Sequence, residues 1–258
     1  MGSVETTTVS RKEKNVRIFN DTIEIVEELN VQGHSNTFKY TFDNISKDVG
    51  KKEGNVFVLP DDTITTTMLQ NSERVCMLNM ASPKTAGGGV KRGSVAQEEC
   101  LFRCTNLYQT ITQDFYPLET SEALYTKDAI IVKDRHYVPL QTPFKTDCIT
   151  IAAINLNGYG RSLGSVPKKD RNYTETMKQK IRLMLSLPYH NGCGTLVLGS
   201  WGCGVFDNKP SEVAQMFYEV LVTEGMRYLF NNVVFGVIND NNSVGNNFQI
   251  FQDRLNEC

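Results

Sequence analysis

Two apolar runs in this chain each lead into a glycine-rich loop. Residues 74–80 carry Val75, Cys76, Met77, Leu78 and Met80, and Gly87, Gly88 and Gly89 follow shortly after. Residues 195–199 carry Leu196, Val197 and Leu198, and then come Gly202, Cys203, Gly204, Val205 and Phe206. A short apolar run bounded by turn residues reads as a buried strand. Glycines at its carboxyl end let the backbone come close to a ligand. Each loop is followed by a helix-like segment, and strands alternate with helices along most of the chain. That alternation predicts a three-layer α/β domain with a largely parallel sheet. In open sheets of this kind the ligand crevice lies at the carboxyl ends of the strands.

The remaining elements follow from periodicity and punctuation. Ile18, Phe19, Ile25, Val26 and Leu29 fit one face of a helix over residues 16–29. Residues 56–59 read as a strand ending at Pro60, and Asp61, Asp62 and Thr63 offer an N-cap for a helix to about Gln70. Ser94 and Gln97 have capping-box spacing, so a helix is expected from there to about Ile111. Residues 129–132, 148–154 and 233–238 read as strands, and 174–187 as a helix with Met177, Ile181, Met184 and Leu185 on one side. A further helix opens at Pro210 and Ser211. Residues 155–173 read as a long loop, in which Gly158, Gly160 and Gly164 have the wrong spacing for a dinucleotide fingerprint. The expected organisation is a flexible tail over 1–13, one domain over 14–240 with the N-terminal helix included, and a C-terminal tail over 241–258.

Composition narrows the function classes. The formal net charge of −2 on 258 residues disfavours duplex binding, and leaves room for a local basic patch around a small anionic ligand. Seven cysteines, an odd number without any C-x-x-C pair, suit a reducing compartment, so a cytoplasmic protein is expected, with nuclear entry open. The three histidines are not paired at ligand spacing, and neither a metal nor a cofactor is expected. No apolar run is long enough to span a bilayer, no membrane partner is expected, and a monomer is. Residues 1–6 fit the loose N-myristoylation pattern, which a cloning remnant explains equally well. The sequons at Asn44, Asn172 and Asn241 are expected to be unused without a secretion signal.

Glu98 and Glu99 fall in the opening turns of the helix after the first glycine loop, near the positive end of its macrodipole. Adjacent helical residues point about 100° apart, so the two carboxylates have different tasks. On composition alone a solvated helix face, or favourable pairing with the helix dipole, explains them better than acid/base chemistry does. The second loop offers backbone N–H groups for an anion nest and an aromatic, Phe206, for a sugar or base. A tight turn with a core-filling aromatic is the competing reading.

The glycine triplet, the short spacer and Gln97-Glu98-Glu99 together resemble the signature of the poly(ADP-ribose) glycohydrolases. The rest of the chain resembles the microbial type of that family, a branch of the macrodomain superfamily. Asn79 to Ser82, residues 125–134, residues 196–206 and residues 233–238 agree with it in order, and the likeness spans about residues 15–240. It implies an α/β/α macrodomain with a mixed, largely parallel central sheet. It also implies a glycoside hydrolase that cleaves ribose–ribose O-glycosidic bonds in poly(ADP-ribose) or acts on ADP-ribosylated macromolecules, with ADP-ribose as product. Carried across, Glu99 is the catalytic acid/base and Glu98 positions the neighbouring ribose. Gly87, Gly88, Gly89 and Val90 surround the ribose nearest the scissile bond and its phosphate. Gly202, Cys203, Gly204, Val205 and Phe206 hold the diphosphate, with Phe206 also ordering the terminal ribose. Asn79 contacts the distal ribose, and Gln97 completes the substrate-binding set.

Two departures bear on substrate scope: Ala86 stands where a proline usually precedes the glycines, and residues 152–160 match the usual pocket strand poorly. The animal enzymes' additional clasp domain has no room here. The alternatives are a hydrolase of single ADP-ribose marks on protein or nucleic acid, a module that binds ADP-ribose without cutting it, and an unrelated phosphate-binding α/β enzyme. The intact Gln97-Glu98-Glu99 argues against a pure binder, which needs no acid there.

Overall fold

The structure, a computed structural model, describes residues 9–30, 35–48, 50–71, 74–157, 172–239 and 246–256. The chain opens on helix α1 (Arg11–Glu28), whose start is fixed by a capping box: Ser10 and Glu13 each accept from the other's backbone N–H. Then come β1 (Asn36–Tyr40), β2 (Asn55–Leu59), α2 (Thr63–Met68) and β3 (Val75–Met80). Helices α3 (Gln97–Phe102) and α4 (Leu107–Thr110) precede a long hairpin, β4 (Ala123–Lys133) and β5 (Pro139–Ile151). The chain ends with α5 (Tyr173–His190), β6 (Thr195–Leu198), α6 (Pro210–Tyr218), β7 (Asn232–Gly236) and α7 (Asn247–Leu255).

The strands form one mixed sheet in the order β1-β4-β5-β3-β6-β7-β2. β3 pairs in parallel with both β5 and β6, as do β6 with β7 and β7 with β2, while β1–β4 and β4–β5 are antiparallel. Side chains of a strand alternate between faces. In β3, Cys76 and Leu78 enter the core beneath α5, α6 and α7, whereas Val75 and Met77 enter the core shared with α1, α2, α3 and α4. Helices on both faces make the three layers. β3 and β6 lie side by side at the centre, so the two glycine loops leave the sheet together.

Several expectations need correction. α1 begins at Arg11, inside the expected tail. The expected helix from Ser94 to Ile111 is two short helices: Ala96 is the N-cap of α3 and supplies no side-chain cap. The chain breaks after α3 because Thr105 bridges to Ile131 and Asn106 accepts from the N–H of Ile130. The strands expected at 129–132 and 148–154 belong to the longer β4–β5 hairpin, and β1, a half-exposed edge strand, went unpredicted. The expected C-terminal tail holds α7, whose Phe251 and Leu255 are fully buried. The myristoylation-like pattern, Gly158 to Gly164 and the Asn241 sequon lie outside the described residues. Among the described residues no helix is long and apolar enough to cross a membrane.

Candidate active site

Beyond β3 the chain turns through Gly87, Gly88 and Gly89, makes a 3-10 turn at Val90–Arg92, and enters α3. Gln97 anchors that entry. Its amide oxygen accepts from the N–H of Met80 at 2.8 Å, and its nitrogen donates to Leu78 O at 2.7 Å and Thr63 Oγ1 at 3.1 Å. The first turn of α3 is thereby bolted to the carboxyl end of β3. Gln97 lines the cleft, as expected of a substrate-binding residue, while its amide is committed to the protein.

Glu98 and Glu99 are 3% and 6% exposed, which rules out a solvated helix face. Glu98 accepts from the N–H of Ser82 at 2.7 Å and from Asn79 Nδ2 at 3.3 Å. Burial pushes the Glu98 carboxyl up to about 8; the donors from Ser82, Asn79 and Gly87 oppose that shift, and the neighbouring charge of Glu99 adds to it. Asn79 is fully buried, and its Nδ2 also meets Thr150 Oγ1. It stands as the partner of Glu98 and does not line the cleft, where a ribose contact was expected.

Glu99 is held differently. Its Oε1 accepts from the N–H of Gly89 at 2.7 Å, while its Oε2 is buried without any hydrogen-bond partner. Gly88 has φ +57°, and a Cβ there would stand 3.0 Å from Glu98 Oε2 and nearer still to Glu99 Oε1. The Gly88 N–H bonds Thr85 O and that of Val90 bonds Gly87 O. The donors of Gly88, Gly89 and Val90 are thus taken within the protein. The triplet seats the two carboxylates.

The second loop keeps its donors free. Trp201 is its root: fully buried, donating Nε1–H to Ile151 O at 3.0 Å and meeting Phe217 edge-on. Asn208 closes it, donating to Gly202 O and Ile154 O at 2.9 Å and accepting from the Tyr173 hydroxyl at 2.6 Å. Between them the N–H groups of Gly204, Val205 and Phe206 have no partner among the described residues. Three successive unpaired donors in a turn form a nest that favours an anion. Cys203 differs from the expected pattern: burial pushes its thiol up, the side chain faces the core, and its N–H bonds Ser200 O. Glycine is required at position 202 on two counts: its φ is +77°, and a Cβ there would stand 2.6 Å from that of Ala153.

A cleft of about 700 Å³, open mouth included, runs between this loop and the start of α3. Met80, Ala81, Gln97, Gly202 and Phe206 line it, together with Ile238 after β7 and Asn247 at the start of α7. The lining includes Ala96 and Gln97 at the start of α3; Glu98, Glu99 and the glycine triplet are not part of it, and the two carboxylates lie buried behind it in the first turn of the same helix. Trp201, Asn208, Ile238 and Asn247 were missed in the sequence. An asparagine closing a glycine loop is a signal that could have marked Asn208. No local signal marks Asn247, which falls in a stretch that reads as a tail.

Comparison with known proteins agrees with this geometry. The family model of the microbial-type PARG catalytic domain matches residues 5–134, half of the chain. A poly(ADP-ribose) glycohydrolase (PARG) from Thermomonospora curvata superposes with a TM-score of 0.79 at 23% identity, over 93% of this chain and 99% of that one. Its complex with the inhibitor ADP-HPD gives 0.77 at 24% identity, with the same coverage. The Deinococcus radiodurans enzyme in complex with ADP-ribose gives 0.74 at 27% identity, over 86% of this chain and 94% of that one. No curated protein matches. A family model over half of the chain shows its membership, and the superposition on solved enzymes agrees: the chain belongs to the family of microbial-type poly(ADP-ribose) glycohydrolases.

Proposed function

We propose that this enzyme shortens poly(ADP-ribose) with Glu99 as its acid/base. The observation that carries the assignment is the unequal state of the Glu99 oxygens: Oε1 is pinned by the Gly89 N–H, and Oε2 is buried and unpartnered. An orphaned buried oxygen costs stability, and a functional role is one explanation for its persistence. Substrate supplies the missing partner. Protonated Glu99 donates to the departing 2′-oxygen as the glycosidic C–O bond breaks. The oxocarbenium-like sugar then faces the diphosphate of its own unit, held by the N–H groups of Gly204, Val205 and Phe206. The Glu99 carboxylate takes a proton from water as water adds to the sugar carbon, releasing ADP-ribose. One carboxylate serves both proton transfers, unlike the usual pair of flanking carboxylates. Glu98 fixes the ribose next to the scissile bond.

Hydrolysis of single ADP-ribose marks is not favoured, since the family model and the solved relatives alike are poly(ADP-ribose) glycohydrolases. Binding without cutting is disfavoured, since burying two carboxyl groups side by side is costly and recognition alone needs neither. Free thiols at Cys76, Cys104, Cys148, Cys193 and Cys203 support the cytoplasmic placement.

The test is incubation with labelled polymer and, separately, with mono-modified protein, followed by separation of products. Polymer converted to ADP-ribose supports the reading. Intact polymer, together with no rise in melting temperature at millimolar ADP-ribose, overturns it, because a ligand of the native state must stabilise it.

A further inference from the structure

The first two turns of α1 carry Arg11, Lys12, Lys14 and Arg17, all exposed, with Glu13 as the one acid among residues 11–20. The last two turns carry Asp21, Glu24, Glu27 and Glu28. This order opposes the helix macrodipole, which favours acids at the amino end and bases at the carboxyl end. The helix start is secured instead by the Ser10–Glu13 box. Charges placed against a local rule point to a task elsewhere.

The fold shows where they stand. α1 packs on the 3-10 turn after the glycine triplet: a Cβ on Gly93 would meet the Lys12 backbone, and Asn15 Nδ2 donates to Gly93 O at 3.0 Å. That turn adds exposed Lys91 and Arg92. Arg92 reaches back over the triplet, with its Nη2 3.5 Å from where a side chain would begin on Gly89, the residue whose N–H holds Glu99. None of these six cations forms a salt bridge among the described residues. In a chain of net charge −2 they make a local cationic surface. It lies beside the triplet that seats the carboxylates, and the cleft lining includes none of it.

We propose that this surface holds the part of the polymer that stays behind, binding the diphosphates of the units on the leaving-group side of the scissile bond. The inference rests on the polymer-cleaving reading. A terminal unit seated in the cleft leaves its neighbour attached at Glu99, and that neighbour continues the chain with two negative charges per unit. The surface beyond Gly89 is the one this continuation meets. Exposed cations along a flexible polyanion give affinity that falls with salt. They do nothing for a single ADP-ribose confined to the cleft.

The experiment compares the Glu99→Gln protein with the same protein carrying R11Q, K14Q, R17Q and K91Q. A control carries K47Q and K51Q, lysines on the connection between β1 and β2. Affinity for long poly(ADP-ribose), for free ADP-ribose and for single-stranded DNA of matched charge is measured from about 50 to 200 mM salt. The expected result is a loss of at least about tenfold in polymer affinity at low salt. The log–log salt slope falls by about 0.7 per engaged cation. Free ADP-ribose binding is unchanged, and the DNA and the control variant are affected far less. Polymer affinity equal to the parent's overturns the inference, as does an equal loss for free ADP-ribose or for DNA. Failure of the wild-type protein to shorten polymer strikes the catalytic reading, whereas unaltered polymer binding by the multiple variant strikes this one.

Discussion

The Gly89 N–H donates to Oε1 of Glu99 at 2.7 Å, joining the glycine triplet to the helix it introduces. Only one carboxylate oxygen is fixed, and the other is left buried without a partner. Fixing the acid before substrate arrives removes reorganisation from the chemical step. The triplet therefore works through the carboxylates as much as through space for a ligand. Gly88 fits the same account, because its missing side chain is what lets Glu98 and Glu99 approach the loop.

Gly88→Ala should accordingly damage catalysis more than stability. The new Cβ would displace both carboxylates, and φ +57° adds strain of about 1–2 kcal/mol. We expect kcat to fall by about 10² or more, with a folded protein and a melting temperature lower by several degrees. Steady-state kinetics on polymer and thermal unfolding of the same preparation check this. A variant with near-wild-type kcat would show that the seat of Glu99 is unimportant.

Glu99→Gln should abolish turnover while free ADP-ribose affinity stays within about tenfold, or about 1.4 kcal/mol. The amide can keep the Gly89 hydrogen bond through its oxygen, but it cannot donate and recover a proton. A placed general acid/base is worth about 10²–10⁴ in rate. Single-turnover assays and calorimetric titration with ADP-ribose separate the two effects. Cleavage near the wild-type rate would falsify the assignment.

Phe206→Ala tests the second loop. The ring is only partly buried against the main core and borders the cleft. We expect KM for polymer to rise about tenfold and stability to fall by no more than about 1 kcal/mol, well below the loss for a fully buried Phe. Michaelis profiles and urea unfolding midpoints check it. A variant that unfolds while its KM is intact would make Phe206 a core residue.

What the sequence made legible was whatever depends on local pattern. Val75 to Leu78 and Leu196 to Leu198 are uniformly apolar because both faces of those strands are covered, and glycines mark the turns that follow. Polar residues were legible by position and not by partner. Gln97 and Asn79 read as ligand contacts because they lie in the signature; Gln97 spends its whole amide on the protein, and Asn79 commits its Nδ2 to Glu98 and Thr150 while its Oδ1 stays buried and unpartnered, an arrangement set by β3 and α3 packing together. The break after α3 depends on Thr105 pairing with β4, twenty-six residues later, which no local window contains. α7 reads as a tail because its amphipathic face is short and weak. Phe251 gains its meaning only against Phe217 and Phe235.

Glu98 gives a prediction in pH. Its carboxyl is raised from 4.5 to about 8, first by burial, so the folded state favours the protonated form. A raised carboxylate holds more protons in the folded chain than in the unfolded one across that interval, and stability then falls as pH rises. The contribution is fully present below about pH 4.5 and is lost as pH climbs through about 8. Glu98→Gln removes this titration while keeping the shape of the side chain. All other groups are common to both proteins, so the difference between their stabilities isolates Glu98. We expect the variant to gain on the wild type by an amount on the order of a few kcal/mol between pH 5 and pH 9. Urea unfolding of both proteins at about pH 5.5 and pH 8.5 measures it. A stability difference that does not change with pH would mean that Glu98 is charged in the folded protein throughout, and that Ser82, Asn79 and Gly87 outweigh its burial.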